Sequence, residues 1–127
     1  MLASSLGSKH RAGAIGIAPE SGEIVVLSLR GELDMADARD LADQIDRTLE
    51  CGKNLILDLS KATFIDSSVI HVFVPASEAA GARGQAIVLQ LGGTAQVVER
   101  ALEMTRTEHV LPRAHDRQAA VHRLSSK

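Results

Sequence analysis

Residues 55–68 read LILDLSKATFIDSS, and this stretch decides the fold. Its first part is almost entirely apolar, which predicts a buried strand. It ends in Asp66-Ser67-Ser68, which is typical of the start of a helix. The N–H groups in the first turn of a helix have no partner within the helix, and the helix dipole is positive there. A serine hydroxyl at this position is therefore either a plain helix cap or a group that can carry an anionic modification.

The segments on either side of this stretch predict alternating strands and helices. Apolar residues run continuously or alternate over the expected strands, and they recur at helical spacing over the expected helices. We predict strands over residues 12–18, 23–30, 54–59 and 85–91, a short edge strand at 110–111, helices over residues 36–51, 67–82 and 95–104, and a last helix capped by Asp116. This order predicts an α/β fold, in which a mixed sheet of about four or five strands opens with a hairpin and is flanked by about four helices.

Length and composition predict a single soluble domain. The chain has 127 residues, of which 45% are apolar and 24% are charged, as in ordinary globular proteins. A formal net charge of −2 gives no electrostatic basis for direct binding to nucleic acid. No apolar run approaches the roughly 18 residues of a membrane-spanning helix, and the first residues lack the apolar core of a secretory signal. We therefore expect a cytoplasmic protein.

The residue types that usually carry catalysis or bind metals form no recognisable site in the sequence. The one cysteine excludes an internal disulfide, and the five histidines are scattered without the spacing of a zinc site. Ser67 and Ser68 lack the flanking glycines of a hydrolase nucleophile. Gly92-Gly93-Thr94 is a tight turn or, as the weaker alternative, a phosphate cradle for a nucleotide. We expect no metal, no cofactor and no enzymatic activity.

Several short motifs stand together in the order and spacing of the STAS domain family. They are Gly31-Glu32-Leu33-Asp34, residues 55–60 and 64–68, Gly84 before the strand at 86–89, residues 97–102, Val110-Leu111-Pro112 and residues 119–121. From about Ile24 to Leu124 the chain resembles this family, and within it the branch of anti-anti-sigma factors, which are anti-sigma factor antagonists. The resemblance implies a mixed sheet flanked by helices, with residues 1–11 as a flexible tail and residues 12–127 as the STAS domain.

The resemblance also implies a phosphorylation switch. In this branch the first serine after the aspartate, here Ser67, is phosphorylated by an anti-sigma factor that is itself a serine kinase. The unphosphorylated form binds the kinase and frees a sigma factor, and a phosphatase resets the system. The residues expected at the partner surface are Asp34, Asp66, Ser68, Val69, Ile70 and Phe73, with Asp34 positioning the hydroxyl or aiding recognition. The alternative is a STAS scaffold or interaction module of a transporter or sensory complex, which is not phosphorylated and in which Ser67 only caps a helix.

Three residues depart from the family pattern. Val69 stands where the family usually has a glycine, so we expect its branched side chain to narrow access to Ser67. Pro75 falls inside the helix predicted over residues 67–82, where a proline removes a hydrogen bond and must kink or interrupt the helix. Arg106 stands in a turn that typically contains glycine, so it must adopt the turn without the conformational freedom of glycine.

Overall fold

Strands and helices alternate along the chain in the computed structural model, which describes residues 13–106 and 110–125. The strands are β1 (Ala14–Pro19), β2 (Ile24–Leu33), β3 (Asn54–Ile65), β4 (Ile87–Gln90) and β5 (Arg113–Ala114). The helices are α1 (Met35–Glu50), α2 (Ser67–Ile70), α3 (Phe73–Ala82), α4 (Gln96–Met104) and α5 (Arg117–Ser125). The predicted α/β class is confirmed. The flexible tail predicted over residues 1–11, and residue 12 of the first predicted strand, lie outside the described residues.

The five strands form one mixed sheet in the order β1-β2-β3-β4-β5. β1 pairs with β2 in an antiparallel hairpin, and the remaining neighbours are parallel. Because each parallel pair is joined by a helical crossover, the carboxyl ends of β2, β3 and β4 meet at one edge of the sheet. The loops that follow these three strands are therefore neighbours in space.

The two faces of the sheet bury separate apolar clusters. Alternate residues of a strand point to opposite faces, so Leu57 and Leu89 pack under α1, α2, α3 and α4, while Ile56 and Val88 face the other way. On that second face α5 packs onto the sheet through Leu124 and its neighbours. On this second face the apolar residues of β2, β3 and β4 lie towards the amino-terminal ends of the strands, and the polar Ser28 and Asp58 follow them.

The helix predicted over residues 67–82 is divided into α2 and α3. The division falls at His71 and Val72, so that Pro75 occupies the first turn of α3 rather than a helix interior. The N–H groups of a first turn need no partner within the helix, and a proline is tolerated there. The predicted interruption is confirmed, and it allows the polypeptide to keep Pro75 without losing a hydrogen bond inside α3.

Two predicted strand boundaries are corrected. β3 was predicted to end at Leu59, but it continues to Ile65 because β2 remains paired with it as far as Leu33. The edge strand predicted at residues 110–111 is wrong, since β5 comprises Arg113 and Ala114 instead. Leu111 is apolar because it is buried in the core, and its apolar character does not indicate strand pairing.

Arg106 adopts the backbone conformation that its position in the turn requires. Its φ is +60°, in the left-handed region that non-glycine residues seldom occupy. Its N–H donates to the Glu103 carbonyl oxygen at 3.0 Å, which closes the turn after α4. The expectation for this residue is confirmed.

Candidate functional site

The loops that carry Asp34 and Ser67 lie side by side at the carboxyl edge of the parallel strands. β2 ends at Leu33 and β3 ends at Ile65, and these two residues are paired in register. The Asp66 N–H donates to the Leu33 carbonyl oxygen at 2.9 Å, which ties the end of β3 to the end of β2. The sheet therefore fixes both loops relative to one another.

Asp66 caps the short helix α2. Its Oδ2 accepts hydrogen bonds from the Ser68 N–H at 2.9 Å and from the Ser68 hydroxyl. Its carbonyl oxygen accepts from the Val69 N–H at 3.0 Å. The hydrogen bonds from Ser68, together with the nearby His71, hold the pKa of Asp66 below its ordinary value. Asp66 therefore already binds two of the N–H groups in this first turn, those of Ser68 and Val69.

The Ser67 side chain is exposed, and its hydroxyl makes no hydrogen bond to any residue that the structure describes. Ser67 is the first helical residue, after the cap, and its carbonyl oxygen accepts from the His71 N–H at 2.9 Å. The interpretation of Ser67 as a helix cap is wrong, since Asp66 has that role. The helix fixes the backbone of Ser67, and the exposed Ser67 hydroxyl is accessible to covalent modification.

Asp34 caps α1 and does not hold the Ser67 hydroxyl. Its Oδ1 accepts from the Ala36 N–H at 3.0 Å and from the Asp37 N–H at 3.3 Å. Asp37 returns the contact, since its Oδ2 accepts from the Asp34 N–H at 2.8 Å. Asp34 is exposed beside the Ser67 loop, so it remains available to a partner. The expectation that it positions the hydroxyl is corrected, because its carboxylate is engaged within its own loop.

Three residues expected at the partner surface lie in the core instead. Val69, Ile70 and Phe73 are between 0% and 2% exposed, and they pack with the apolar cluster beneath α1. Their side chains therefore point away from any partner in this conformation. Val69 does not narrow access to Ser67 either, because its branched side chain is turned inward. The apolar character of these residues reflects the inner side of α2 and α3.

The outer side of α2 and α3 presents a stripe that the sequence predictions missed. We define the outer stripe as Ser67, His71, Val74 and Glu78, all of them exposed. These positions follow Ser67 at intervals of four, three and four residues, which place side chains along one side of a helical path. This spacing in the sequence could have predicted the outer stripe. It was overlooked because the apolar residues between these four positions were assigned to the partner surface.

The Gly92-Gly93-Thr94 segment is a tight turn, as preferred from the sequence. Gly93 has a φ of +81°. Gly92 packs so closely on the His115 backbone that an added Cβ would lie 2.1 Å from the His115 carbonyl oxygen. The Thr94 hydroxyl donates to the Leu59 carbonyl oxygen at 2.9 Å. The N–H and the hydroxyl of Thr94 are therefore both engaged within the protein.

The described residues 13–106 and 110–125 contain no group of three or more histidine, cysteine, aspartate or glutamate side chains arranged to hold a metal ion. Within the same ranges no helix has the length and apolar character needed to cross a bilayer.

Solved structures with a similar fold include several anti-sigma factor antagonists. The unphosphorylated form of the antagonist SpoIIAA has a TM-score of 0.76 at 19% identity, covering 90% of this chain and 98% of that one. The phosphorylated form of SpoIIAA, described as a Bacillus cell fate determinant, has a TM-score of 0.65 at 18% identity, covering 87% and 98%. An antagonist from Mycobacterium paratuberculosis has a TM-score of 0.74 at 19% identity, covering 89% and 94%. At these identities the likeness establishes a shared fold.

Sequence comparison identifies the family. No curated protein matches the chain. The profile of the STAS domain matches residues 17–120, which include all five strands except the first residues of β1, and most of the helices. The match covers well over half of the chain and agrees with the motifs at 31–34 and 64–68. The chain therefore belongs to the STAS domain family.

Proposed function

We propose that this protein is an anti-sigma factor antagonist that binds an anti-sigma factor serine kinase, frees a sigma factor and is switched off by phosphorylation of Ser67. One observation carries the proposal: of two adjacent hydroxyls, that of Ser68 is bonded to Asp66, and that of Ser67 is exposed without a described hydrogen bond. The fold likeness to SpoIIAA, whose structures include unphosphorylated and phosphorylated forms, supports the same assignment.

Phosphorylation of Ser67 would add charge where the protein offers little compensation. A phosphate monoester carries about −1.5 to −2 charges at neutral pH. The Asp66 carboxylate is adjacent and already occupies the N–H of Ser68, so the phosphate would meet a like charge in place of free donors. The phosphate would therefore remain in solvent, and a docked partner would have to desolvate it. Binding would weaken while the fold is kept.

The outer stripe is the surface on which we propose that the kinase docks. It begins at Ser67 and continues along α3 through Val74, whose side chain is 45% exposed and apolar. Exposed Asp34 borders its Ser67 end. A partner that covers this stripe in the unphosphorylated state would have the hydroxyl within its contact area. A phosphatase that removes the phosphate would restore the surface.

Intact-mass measurement tests the proposal directly. The purified chain is incubated with MgATP and, in turn, with each anti-sigma factor serine kinase encoded in the same genome. We expect one phosphate on the wild type, none on Ser67→Ala, and one on Ser68→Ala, which is the matched control. Ser67→Ala should still bind the kinase, and Ser67→Glu should not.

Two results would contradict the proposal. A phosphate retained by Ser67→Ala would assign the acceptor elsewhere. A stable complex that forms equally with and without ATP, and leaves the chain unmodified, would instead support the STAS scaffold that is not phosphorylated.

A further inference from the structure

The face of the sheet opposite Ser67's helix is only partly covered. α5 packs on the apolar residues at the amino-terminal ends of the strands, including Ile56 and Val88. Further along the same face, β2 presents Ser28 and β3 presents Asp58. These polar side chains lie beyond the start of α5, so this part of the sheet face stays open.

An irregularity between β2 and β3 places two cations on this open face. Ser28 pairs with Asp58, but the next pair is Arg30 with Lys61, so β3 uses one residue more than β2 over this interval. With regular alternation Lys61 would share the buried side of Leu59. The extra residue turns Lys61 to the side of Arg30, and a bulge that redirects a side chain in this way is common beside functional sites.

Neither cation has an ion-pair partner among the described residues. Asp58 is already bound by the Arg117 guanidinium at 2.7 Å and by the Ser60 hydroxyl and N–H at 2.7 and 2.9 Å. No described ion pair or hydrogen bond involves the side chain of Arg30 or Lys61. Like charges directly opposite one another on neighbouring strands are destabilising. Arg30 and Lys61 are paired in register, so an anion bound between them would interact favourably with both charges.

These side chains form a small pocket with a defined chemical pattern. Ser28, Arg30, Asp58 and Lys61 line a cavity of about 240 Å³. A phosphate ester of roughly two negative charges matches the two cations better than a single carboxylate does. Ser28 supplies a hydroxyl donor beside them, and the Asp58 carboxylate can accept a hydrogen bond from a ligand hydroxyl.

We propose that this pocket binds the phosphate group of a small phosphorylated molecule that also carries hydroxyl groups, such as a sugar phosphate. Arg30 and Lys61 bind the phosphate, and Asp58 orients the hydroxyl-bearing part. The pocket lies on the opposite face of the sheet from α2, so the proposal is independent of phosphorylation at Ser67.

Amide NMR titration of the full chain at constant ionic strength tests the proposal. The probes are inorganic phosphate, glucose 6-phosphate, uncharged glucose and chloride. We expect saturable shifts at residues 28–30 and 58–61 with both phosphates, tighter binding of glucose 6-phosphate, and none with glucose or chloride. Binding of inorganic phosphate without binding of glucose 6-phosphate would overturn the proposal, because the ligand is proposed to carry hydroxyl groups.

Substitutions of Lys61 and Arg30 test whether these two side chains bind the phosphate. Lys61→Gln and Arg30→Gln should each weaken glucose 6-phosphate binding by about tenfold or more, since each removes a charge-assisted hydrogen bond. Arg100→Gln, an exposed arginine on α4, is the matched control and should bind as the wild type does. Unchanged amide positions away from the pocket would establish that each variant is folded. Equal binding by all the variants, or shifts that chloride reproduces, would overturn the proposal.

Discussion

Ser67 and Ser68 are neighbours in the chain, yet Asp66 binds only one of their hydroxyls. The capping side chain reaches the second helical residue, Ser68, and leaves the first, Ser67, pointing to solvent. The hydroxyl that is hydrogen-bonded within the fold and the hydroxyl that is exposed therefore belong to consecutive residues. The two serines can be tested separately, because the loss of either hydroxyl has a different consequence.

Ser67→Ala should leave the free energy of unfolding within about 0.5 kcal/mol of the wild type, as expected for an exposed residue without a partner. Ser68→Ala should destabilise the protein more, because it removes the hydroxyl that Asp66 binds. Urea denaturation of both variants under the same conditions measures the difference. A larger loss for Ser67→Ala than for Ser68→Ala would mean that Ser67, after all, has a capping role.

At the scale of elements, the break between α2 and α3 determines which side chains are presented to a partner. The break accommodates Pro75 in a first turn, while Val69 and Phe73 remain anchored in the core. The outer stripe follows from this geometry, since the buried side chains fix the orientation of both helices. Val74 is its apolar member and is 45% exposed.

Val74→Lys should weaken binding to the partner kinase by about tenfold or more, equivalent to at least about 1.4 kcal/mol, because it places a charge at the apolar centre of the stripe. Val97→Lys is the matched control, since Val97 is an equally exposed valine, at 49%, on α4. Isothermal titration calorimetry measures both affinities. Equal effects of the two substitutions would exclude the outer stripe as the docking surface.

A second prediction at this scale concerns Arg106, in the turn after α4. Arg106→Gly should stabilise the protein by about 0.5–1 kcal/mol. Glycine adopts a positive φ without the steric cost that arginine incurs, and this gain exceeds the cost of glycine's larger conformational entropy in the unfolded state. Arg100→Gly, inside α4, should instead destabilise by about 0.5–1 kcal/mol. Thermal unfolding of both variants measures whether each substitution stabilises or destabilises the protein. Destabilisation by Arg106→Gly would indicate that the arginine side chain makes a contact worth more than the backbone strain.

At the scale of the whole molecule, Arg117 joins four parts of the fold. From the start of α5 its guanidinium donates to Asp58 on β3 at 2.7 Å, to Gln90 on β4 at 2.6 Å, and to Glu20 in the β1–β2 turn at 3.2 Å. Burial alone would raise the pKa of Asp58, but the hydrogen bonds from Ser60 and Arg117 outweigh burial and hold that pKa below its ordinary value. This network holds α5 against the sheet.

The network predicts how stability depends on pH. Because the folded pKa of Asp58 is lower than the unfolded one, its stabilising contribution is fully present above the unfolded value and is lost as the pH falls through the folded value. Asp58→Asn should therefore cost about 1–3 kcal/mol at pH 7. The cost should shrink as the pH falls below about 4.

Chemical denaturation of the wild type and Asp58→Asn across this pH range measures the effect. Asp43→Asn is the control, because the Asp43–Arg47 pair is exposed on α1, and such pairs contribute about 0–1 kcal/mol. A cost for Asp58→Asn that does not change with pH would show that the charge of Asp58 is not what stabilises the network.

The sequence by itself determined the fold class, the family and the place of the candidate site. The mostly apolar run at 55–59 and the helical spacing over residues 36–51 are local signals, because each reflects the burial of side chains within a few residues. The interruption of the helix by Pro75 was also predictable from a local signal. The motif Asp66-Ser67-Ser68 likewise identified the loop without the structure.

Only the tertiary structure decided which side chains of that loop and its helices are available. Val69 and Phe73 are apolar residues that fit an interface or a core equally well, and packing against α1 and the sheet assigned them to the core. β5 pairs at Arg113, because an edge strand depends on the position of β4. Lys61 lies beside Arg30 through a register shift between two strands 30 residues apart. Such choices depend on contacts between distant segments, whose energies no local pattern contains.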